Sequence, residues 1–331
     1  LRRSMQRIFA ADIGGTNARF ALFSEYEGNL TLKLAVWAKS AELTTTEDML
    51  QAMQQLLQTP FAAGDRLAVA LAGPTRGLQG RLTNGGLRVD LSGAGQRYGL
   101  SGCLLVNDFA AQAFATLTPS GTAARQLRGV PPLPADVCTA TRAVLGAGTG
   151  LGAASLIRCG GPDGRWMAVP SEAGHAAFPF VGAEEQAYQA FLRRELGHEY
   201  PTVENVLCGE GLSLLHYYLS GQFFYPPAVG AEALARESPT LHWYARFIGR
   251  FCRQWVLSTL CRGGLWIAGG IIAKNPLCVT HHGFAHELEL AVGASDLVAG
   301  VSIYLVEDAN SGLWGAARAA VEYGCGQTNP A

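Results

Sequence analysis

The chain reads as an α/β protein built on two related halves. A strand, glycine turn and strand over Arg7–Phe23 returns over Ala143–Ile157, about 134 residues later. Around these two units, short apolar runs alternate with stretches of helical period. Two occurrences exclude a solenoid and point to two lobes. The 331 residues leave room for two cores at roughly 150 residues per domain. A hydrophobic share of 49% against 15% charged excludes a disordered chain.

In order along the chain, Ile8-Phe9-Ala10-Ala11 forms a first strand, Asp12 to Asn17 its turn, and Arg19 to Phe23 the returning strand. Met49, Leu50, Met53, Leu56 and Leu57 recur at helical spacing over Thr46 to Gln58. Leu67 to Ala72 is a buried strand stopped by Gly73-Pro74. Leu104-Leu105-Val106 is another, ending in Asn107-Asp108, with a helix from Phe109 to Leu117. Four prolines between Pro119 and Thr141 predict a crossing or linker. The second strand pair frames Gly146 to Gly152, and helices follow over Glu184–Leu196, Gly211–Leu219 and Leu241–Leu260. Leu265 to Ala268 runs as a strand into Gly269-Gly270, and Gly312 to Glu322 closes with a helix.

Charge narrows the partners. Twenty-five Lys and Arg against 26 Asp and Glu leave no basic excess for a phosphate backbone, so nucleic acid is not expected. The most apolar stretch, Leu265–Ala273, is far short of the roughly 20 residues a bilayer span needs, so no membrane is expected. Eight scattered cysteines, without a Cys-x-x-Cys pair, read as reduced and mostly buried thiols. Leu1 to Ser4 precede Met5 and are too short for a signal peptide; Met5 reads as the start and the protein as cytoplasmic.

The chemistry gathers at the glycine turns. Consecutive N–H groups at Gly14, Gly15 and Thr16 can cradle an anion, and Asp12 beside bound phosphates would hold Mg²⁺ directly or through water. A polar hairpin turn is the plainer alternative for that segment. Glycine at every second position from Gly146 to Gly152 is tolerated in a strand where another backbone or a ligand approaches. No Gly-Lys-Ser/Thr occurs, which excludes a Walker A loop. A dinucleotide fingerprint at Gly148, Gly150 and Ala153 is followed by a strand instead of a helix, and Asp163 stands too close behind it, so a nicotinamide enzyme is the weaker alternative.

Asn107-Asp108 ends an apolar strand, where an Asp can take the proton of an attacking hydroxyl; the alternative is an Asx cap for the following helix. Glu172 and His175 can bond vicinal sugar hydroxyls, and Glu204 can do likewise or serve as a helix-end residue. The seven histidines offer no His-Glu-x-x-His, and adjacent His281-His282 are poorly placed to share a helical face, so they are not expected to bind metal.

Taken in order, six segments resemble the bacterial glucokinase family of the actin-like sugar kinase superfamily. They are Ala11 to Arg19, Val106 to Ala111, Gly146 to Gly152, Glu172 to His175, Glu204 to Gly209 and Ile267 to Ile271. The resemblance implies a two-lobed actin-like (ribonuclease H-like) α/β fold. Residues 1–118 plus 312–331 would form the small lobe and 119–311 the large one, with ATP and glucose in the cleft between them. It further implies that Asp12, Gly14, Gly15, Thr16, Asn17, Gly148, Thr149 and Gly150 contact the ATP phosphates and that Gly269 and Gly270 lie against the adenosine. Asp108 would be the general base for the sugar 6-hydroxyl, while Asn107, Glu172, His175 and Glu204 hold the other hydroxyls of glucose. Mg²⁺ as cofactor and a homodimer belong to the same implication.

The chain departs from the family pattern at Ser171 and Ala173, where glycines are expected, and over Glu307 to Ser311. A kinase for another hexose is one alternative. A non-catalytic sugar-binding regulator on the same scaffold is another. Such a regulator would need a helix-turn-helix, for which no room precedes Asp12, and related repressor-type kinases carry a cysteine-rich zinc loop, whereas the next cysteine after His175 is Cys208.

Overall fold

The computed structural model describes residues 5–130, 140–161 and 164–324. Two compact units emerge, one of Leu1–Ala124, Arg158–Pro170 and Asp308–Ala331, the other of Arg125–Ile157 and Ser171–Glu307. Residues 158–170 thus group with the first unit, although the expected lobe division assigned them to the large one. Leu1 to Ser4, Asp163, Cys138 and Cys325 lie outside the described residues.

In the first unit, β1 (Gln6–Ile13), β2 (Asn17–Tyr26) and β3 (Asn29–Lys39) form an antiparallel meander. Helix α1 (Thr46–Leu56) starts at a capping box of Thr45 and Asp48, which satisfies two orphan backbone donors. The strand β4 (Arg66–Leu71) is followed by a small sheet of β5 (Thr75–Arg76), β6 (Gln79–Arg81) and β7 (Arg88–Asp90). Then come α2 (Ala94–Tyr98), β8 (Gly102–Asn107), α3 (Asp108–Ala115) and α4 (Pro119–Thr122). The main sheet runs β3-β2-β1-β4-β8, with β1, β4 and β8 parallel. Their register sets Ile13, Leu71 and Asn107 in one row, so the C-terminal ends of β1 and β8 face the same way, one strand apart.

Within the second unit's sheet, β9 (Arg125–Arg128), β10 (Arg142–Ala147), β11 (Leu151–Cys159), β12 (Arg165–Ser171), β13 (Leu265–Ala268) and β14 (Ile303–Leu305) run in the order β12-β11-β10-β13-β14-β9. The outer part of the β11–β12 hairpin belongs to the first unit. Of the crossing or linker expected over 119–141, the crossing is found, since the chain passes from the first unit to the second at Ala124–Arg125, but its described part is not irregular: α4 and β9 occupy it, because β9 finds an antiparallel partner in β14 despite its polar sequence.

The helices of this unit are α5 (Gly182–Leu196), α6 (Val203–Leu207), α7 (Gly209–Ser220), α8 (Pro226–Val229), α9 (Pro239–Thr259), α10 (Gly270–Lys274), α11 (Leu277–Thr280), α12 (His282–Glu289) and α13 (Ser295–Ala299). The longest, α9, starts with Ser238 as cap and Pro239 in its first turn, where a missing N–H costs nothing. Its inner face buries Arg250, whose Nη2 donates to Glu185 Oε1 (2.9 Å) and Glu287 Oε1 (2.6 Å) and whose Nη1 donates to Pro179 O (2.9 Å). This tie keys α9 to α5 and α12, and removing one member would strand a buried charge at about 3–5 kcal/mol. No described helix is long and apolar enough to cross a membrane.

The chain returns to the first unit with α14 (Ser311–Tyr323), which packs on α3, β1 and β4. Close approach demands glycine twice on this helix. A Cβ at Gly315 would stand 1.8 Å from Ala111 O, and one at Gly312 2.5 Å from Asp12 Oδ2.

Candidate functional site

In the first unit, β1 delivers Asp12 to its C-terminal end, where the residue is buried with 7% exposure. Arg19, its register partner on β2, donates from Nη1 to Asp12 Oδ2 at 2.9 Å and stacks on Trp37. Burial raises the Asp12 carboxyl above its usual range, and Arg19 opposes the shift. The following turn is held from behind by Ser40, whose Oγ donates to Gly14 O (2.6 Å) and whose N–H donates to Thr16 O (3.1 Å). Gly14 N–H closes on Asn17 O at 3.0 Å, and Gly15, Thr16 and Asn17 stand exposed. Neither Gly14 nor Gly15 has positive φ. Gly15 is instead a matter of room, since a Cβ there would come within 3.3 Å of Asn84.

Asn107 and Asp108 sit where β8 becomes α3. The Asx cap weighed for this pair is present: Asn107 Oδ1 accepts from Phe109 N–H (2.9 Å) and Ala110 N–H (3.3 Å). Its Nδ2 reaches Gly73 O at 3.4 Å, which leaves one amide hydrogen for a ligand. The cap fixes the first turn of α3 and with it Asp108. Protein packed round the Asp108 carboxyl raises its pKa from 3.8 to about 7, with the negative charge of Asp12 as the second cause. Enough of the residue remains open to meet a solute. A carboxylate poised near neutrality at a strand end is suited to accept a proton from a hydroxyl.

The second unit assembles its own group. Gly148 N–H closes the turn on Gly150 O (2.9 Å), and Gly209 N–H, at the start of α7, donates to Gly148 O (3.3 Å). Glu204, on α6, turns its carboxylate back onto this turn, accepting Leu151 N–H at Oε2 (2.8 Å). Gly150 makes room, because a Cβ there would be 3.0 Å from that oxygen. Gly269 has φ +97°, and a Cβ on it would lie 2.3 Å from Ala147 O. Only glycine fits there, and its place sets the β13–α10 junction against the residue that precedes Gly148.

Glu172 and His175 flank a 3-10 turn over Ala173–His175, with His175 Nε2 3.5 Å from Glu172 Oε2 and both side chains largely exposed. Gly174 lets this turn press on the start of β11, since a Cβ would meet Leu151 O at 2.5 Å. Val203 N–H donates to Ala176 O (2.9 Å) and a bridge joins Ala177 to Thr202, which ties the turn to the helix carrying Glu204. Ser171, where the family pattern expects glycine, accepts Ala173 N–H on its Oγ (3.2 Å) and so braces the turn.

The expected residues therefore fall into two groups, Asp12, Gly14–Asn17, Asn107 and Asp108 in one unit, and Gly148–Gly150, Glu172, His175, Glu204, Gly269 and Gly270 in the other. Sequence reasoning missed Ser40, Gly174, Gly209 and Gly312. Gly174 and Gly209 stood inside segments already singled out for the site, and Gly312 opens the helix expected to close the chain. The histidines were not expected to bind metal on the adjacency of His281 and His282; the structure adds a third ring that sequence did not place there, because His242 on α9 meets both from a different part of the chain.

Oxygen donors suit a hard cation such as Mg²⁺, and with Oδ2 of Asp12 held by Arg19, Oδ1 is the atom left to face one.

Comparison with known proteins bears on the family and the fold. The glucokinase family model matches residues 9–323. A glucokinase of Campylobacter jejuni subsp. doylei is 32% identical over 286 residues, covering 82% of this chain and 81% of its own. The crystal structure of a glucokinase from an Antarctic psychrotroph superposes with a TM-score of 0.81 at 25% identity, covering 96% of this chain and 99% of that one. A ROK family glucokinase from Streptomyces griseus, solved with glucose and AMPPNP, shares the fold at 16% identity and a TM-score of 0.59, covering 95% and 98%. The two-lobed actin-like fold expected from the sequence is the fold found. By family model, sequence and structure together, this chain belongs to the glucokinase family of hexose kinases.

Proposed function

We propose that the protein transfers the γ-phosphoryl group of ATP to the 6-hydroxyl of D-glucose, giving glucose 6-phosphate and ADP. The observation that carries the reaction's chemistry is Asp108, a carboxyl with a pKa near 7 at the β8–α3 junction, on the same sheet end as Asp12 and the Gly14–Asn17 turn. The sugar oxygen attacks γ-phosphorus in line, the bond to the β,γ-bridging oxygen breaks with its electrons going to ADP, and the hydroxyl proton passes to Asp108 late in the transfer. Glu172, His175 and Glu204 bond the remaining hydroxyls, and Asn107 offers its spare amide hydrogen. The exposed N–H groups of Gly15 and Thr16, and the turn at Gly148, Thr149 and Gly150, receive phosphate oxygens. Gly269 and Gly270 border the nucleoside. Asp12 would hold Mg²⁺ through water, and the ion when bound supplies neutralisation of phosphate charge.

We further place the enzyme in the cytoplasm as a homodimer. The described thiols, Cys103, Cys159, Cys208, Cys252, Cys261 and Cys278, are all free, which fits a reducing compartment. The dimer rests on the family resemblance alone.

The test is phosphate transfer from Mg-ATP to a panel of hexoses, following ADP and sugar 6-phosphate, with Asp108→Ala run beside the native chain. Transfer to glucose that is lost in the variant is the expected result. Preference for a different hexose would reassign the substrate, and glucose binding with no transfer would make the protein a sugar-binding regulator.

A further inference from the structure

We propose that His242, His281 and His282, with Glu237, form a binding site for one divalent transition-metal ion of the zinc class. The first residue lies in the opening turn of α9, and the other two stand where α11 gives way to α12. Each histidine brings one ring nitrogen within 4.8 Å of the others. Four-coordinate zinc with bonds of about 2.0–2.1 Å sets its ligand atoms about 3.4 Å apart, so closing on an ion from this spacing asks for small side-chain rotations of the three imidazoles. The rings already pack together, with centroids 4.1 Å apart for His281 and His282 and 5.5 Å from His242 to each.

The surrounding bonds prepare the central ligand. His281 Nδ1 accepts Gly283 N–H at 2.9 Å, while Nε2 faces the Glu237 carboxylate at 3.1 and 3.2 Å. Ligation through Nε2 would keep the backbone bond, release the Nε2 proton to solvent and place a carboxylate beside the metal. Gly283 is what lets this corner sit so close to α9, since a Cβ there would lie 3.0 Å from His281 Nδ1 and 3.4 Å from His242 O. Three imidazoles and a carboxylate are donors that zinc accepts and that Mg²⁺ does not seek. The group lies apart in sequence from every residue assigned to phosphoryl transfer, so the site does not depend on that assignment.

Zinc binding to the full chain, freed of any polyhistidine tag, would be measured by competition with a chromophoric chelator, and Co²⁺ substitution would read the geometry from its visible spectrum. We expect one ion per chain and a four-coordinate Co²⁺ spectrum. Affinity should fall by about 100-fold or more in His242→Ala and His282→Ala, and by about 10–100-fold in Glu237→Gln. His282 is exposed, so its variant keeps the fold, checked by circular dichroism. Binding that neither histidine variant weakens, or no saturable binding at micromolar zinc, would overturn the proposal.

Discussion

If Asp108 accepts the proton, its titration must appear in the rate. Burial and Asp12 raise its pKa to about 7, so the competent carboxylate makes up about one-tenth of the enzyme at pH 6 and about one-hundredth at pH 5. kcat/KM for glucose, measured with saturating Mg-ATP between about pH 5 and pH 9, should therefore rise tenfold per unit to a bend near 7 and then level. Two variants separate the causes. Asp108→Asn keeps the shape and the bond to the α3 cap region but cannot take a proton; kcat should drop by about 10²–10⁴ and the acid limb should vanish, with KM for glucose little changed. Asp12→Asn removes the charge that raises Asp108, so the bend should move to lower pH. A flat profile in the native enzyme, or the same limb surviving in Asp108→Asn, would refute Asp108 as the base.

The same shift acts on stability. Because the folded carboxyl holds its proton more tightly than the unfolded one at 3.8, folding stability falls as pH rises from about 4 to about 7 and is level above. Asp108→Asn should thus raise the unfolding free energy at pH 8, by at most about 4 kcal/mol, with a gain that shrinks toward pH 4 in urea titrations. Gly269→Ala forces a left-handed backbone and a Cβ contact with Ala147 O; it should cost about 1–3 kcal/mol in thermal melts and raise KM for ATP. Glu204→Gln can still accept Leu151 N–H but loses its charge, so KM for glucose should rise by about 10–100-fold with an unaltered melting curve.

Much of this architecture was readable because apolar runs and glycine punctuation coincide. The strands ending at Asp12 and Asn107, the Gly146–Gly152 pair and the helix over α9 all carry both signals. What escaped has a physical reason. The strand β3 lies at the sheet edge and buries none of its residues fully although Leu34 to Ala38 is apolar, β5 to β7 span two or three residues each, and the polar β9 is a strand only because β14 pairs with it. In the site, neighbours in sequence such as Asn107-Asp108 were legible, but contacts made by folding were not. Ser40 clamping Gly14, Gly312 covering Asp12 and His242 meeting His281 join residues some 26 to 300 positions apart.

The cover over Asp12 has a consequence for how the protein is made. β1 leaves the ribosome ahead of the other described strands, yet the helix that lies on it, α14, follows about 300 residues later, roughly 15–60 s of synthesis at ordinary rates. Until then the faces of β1, β4 and α3 that α14 buries have no partner, and the pocket of space at Gly312 that sets the Asp12 carboxylate does not exist. The second unit, whose Ser171–Glu307 stretch is contiguous, can close while the first waits. The Asp12 carboxylate therefore acquires its final setting only once α14 has been made, and a nascent chain stalled before α14 would present an apolar sheet face to chaperones and proteases.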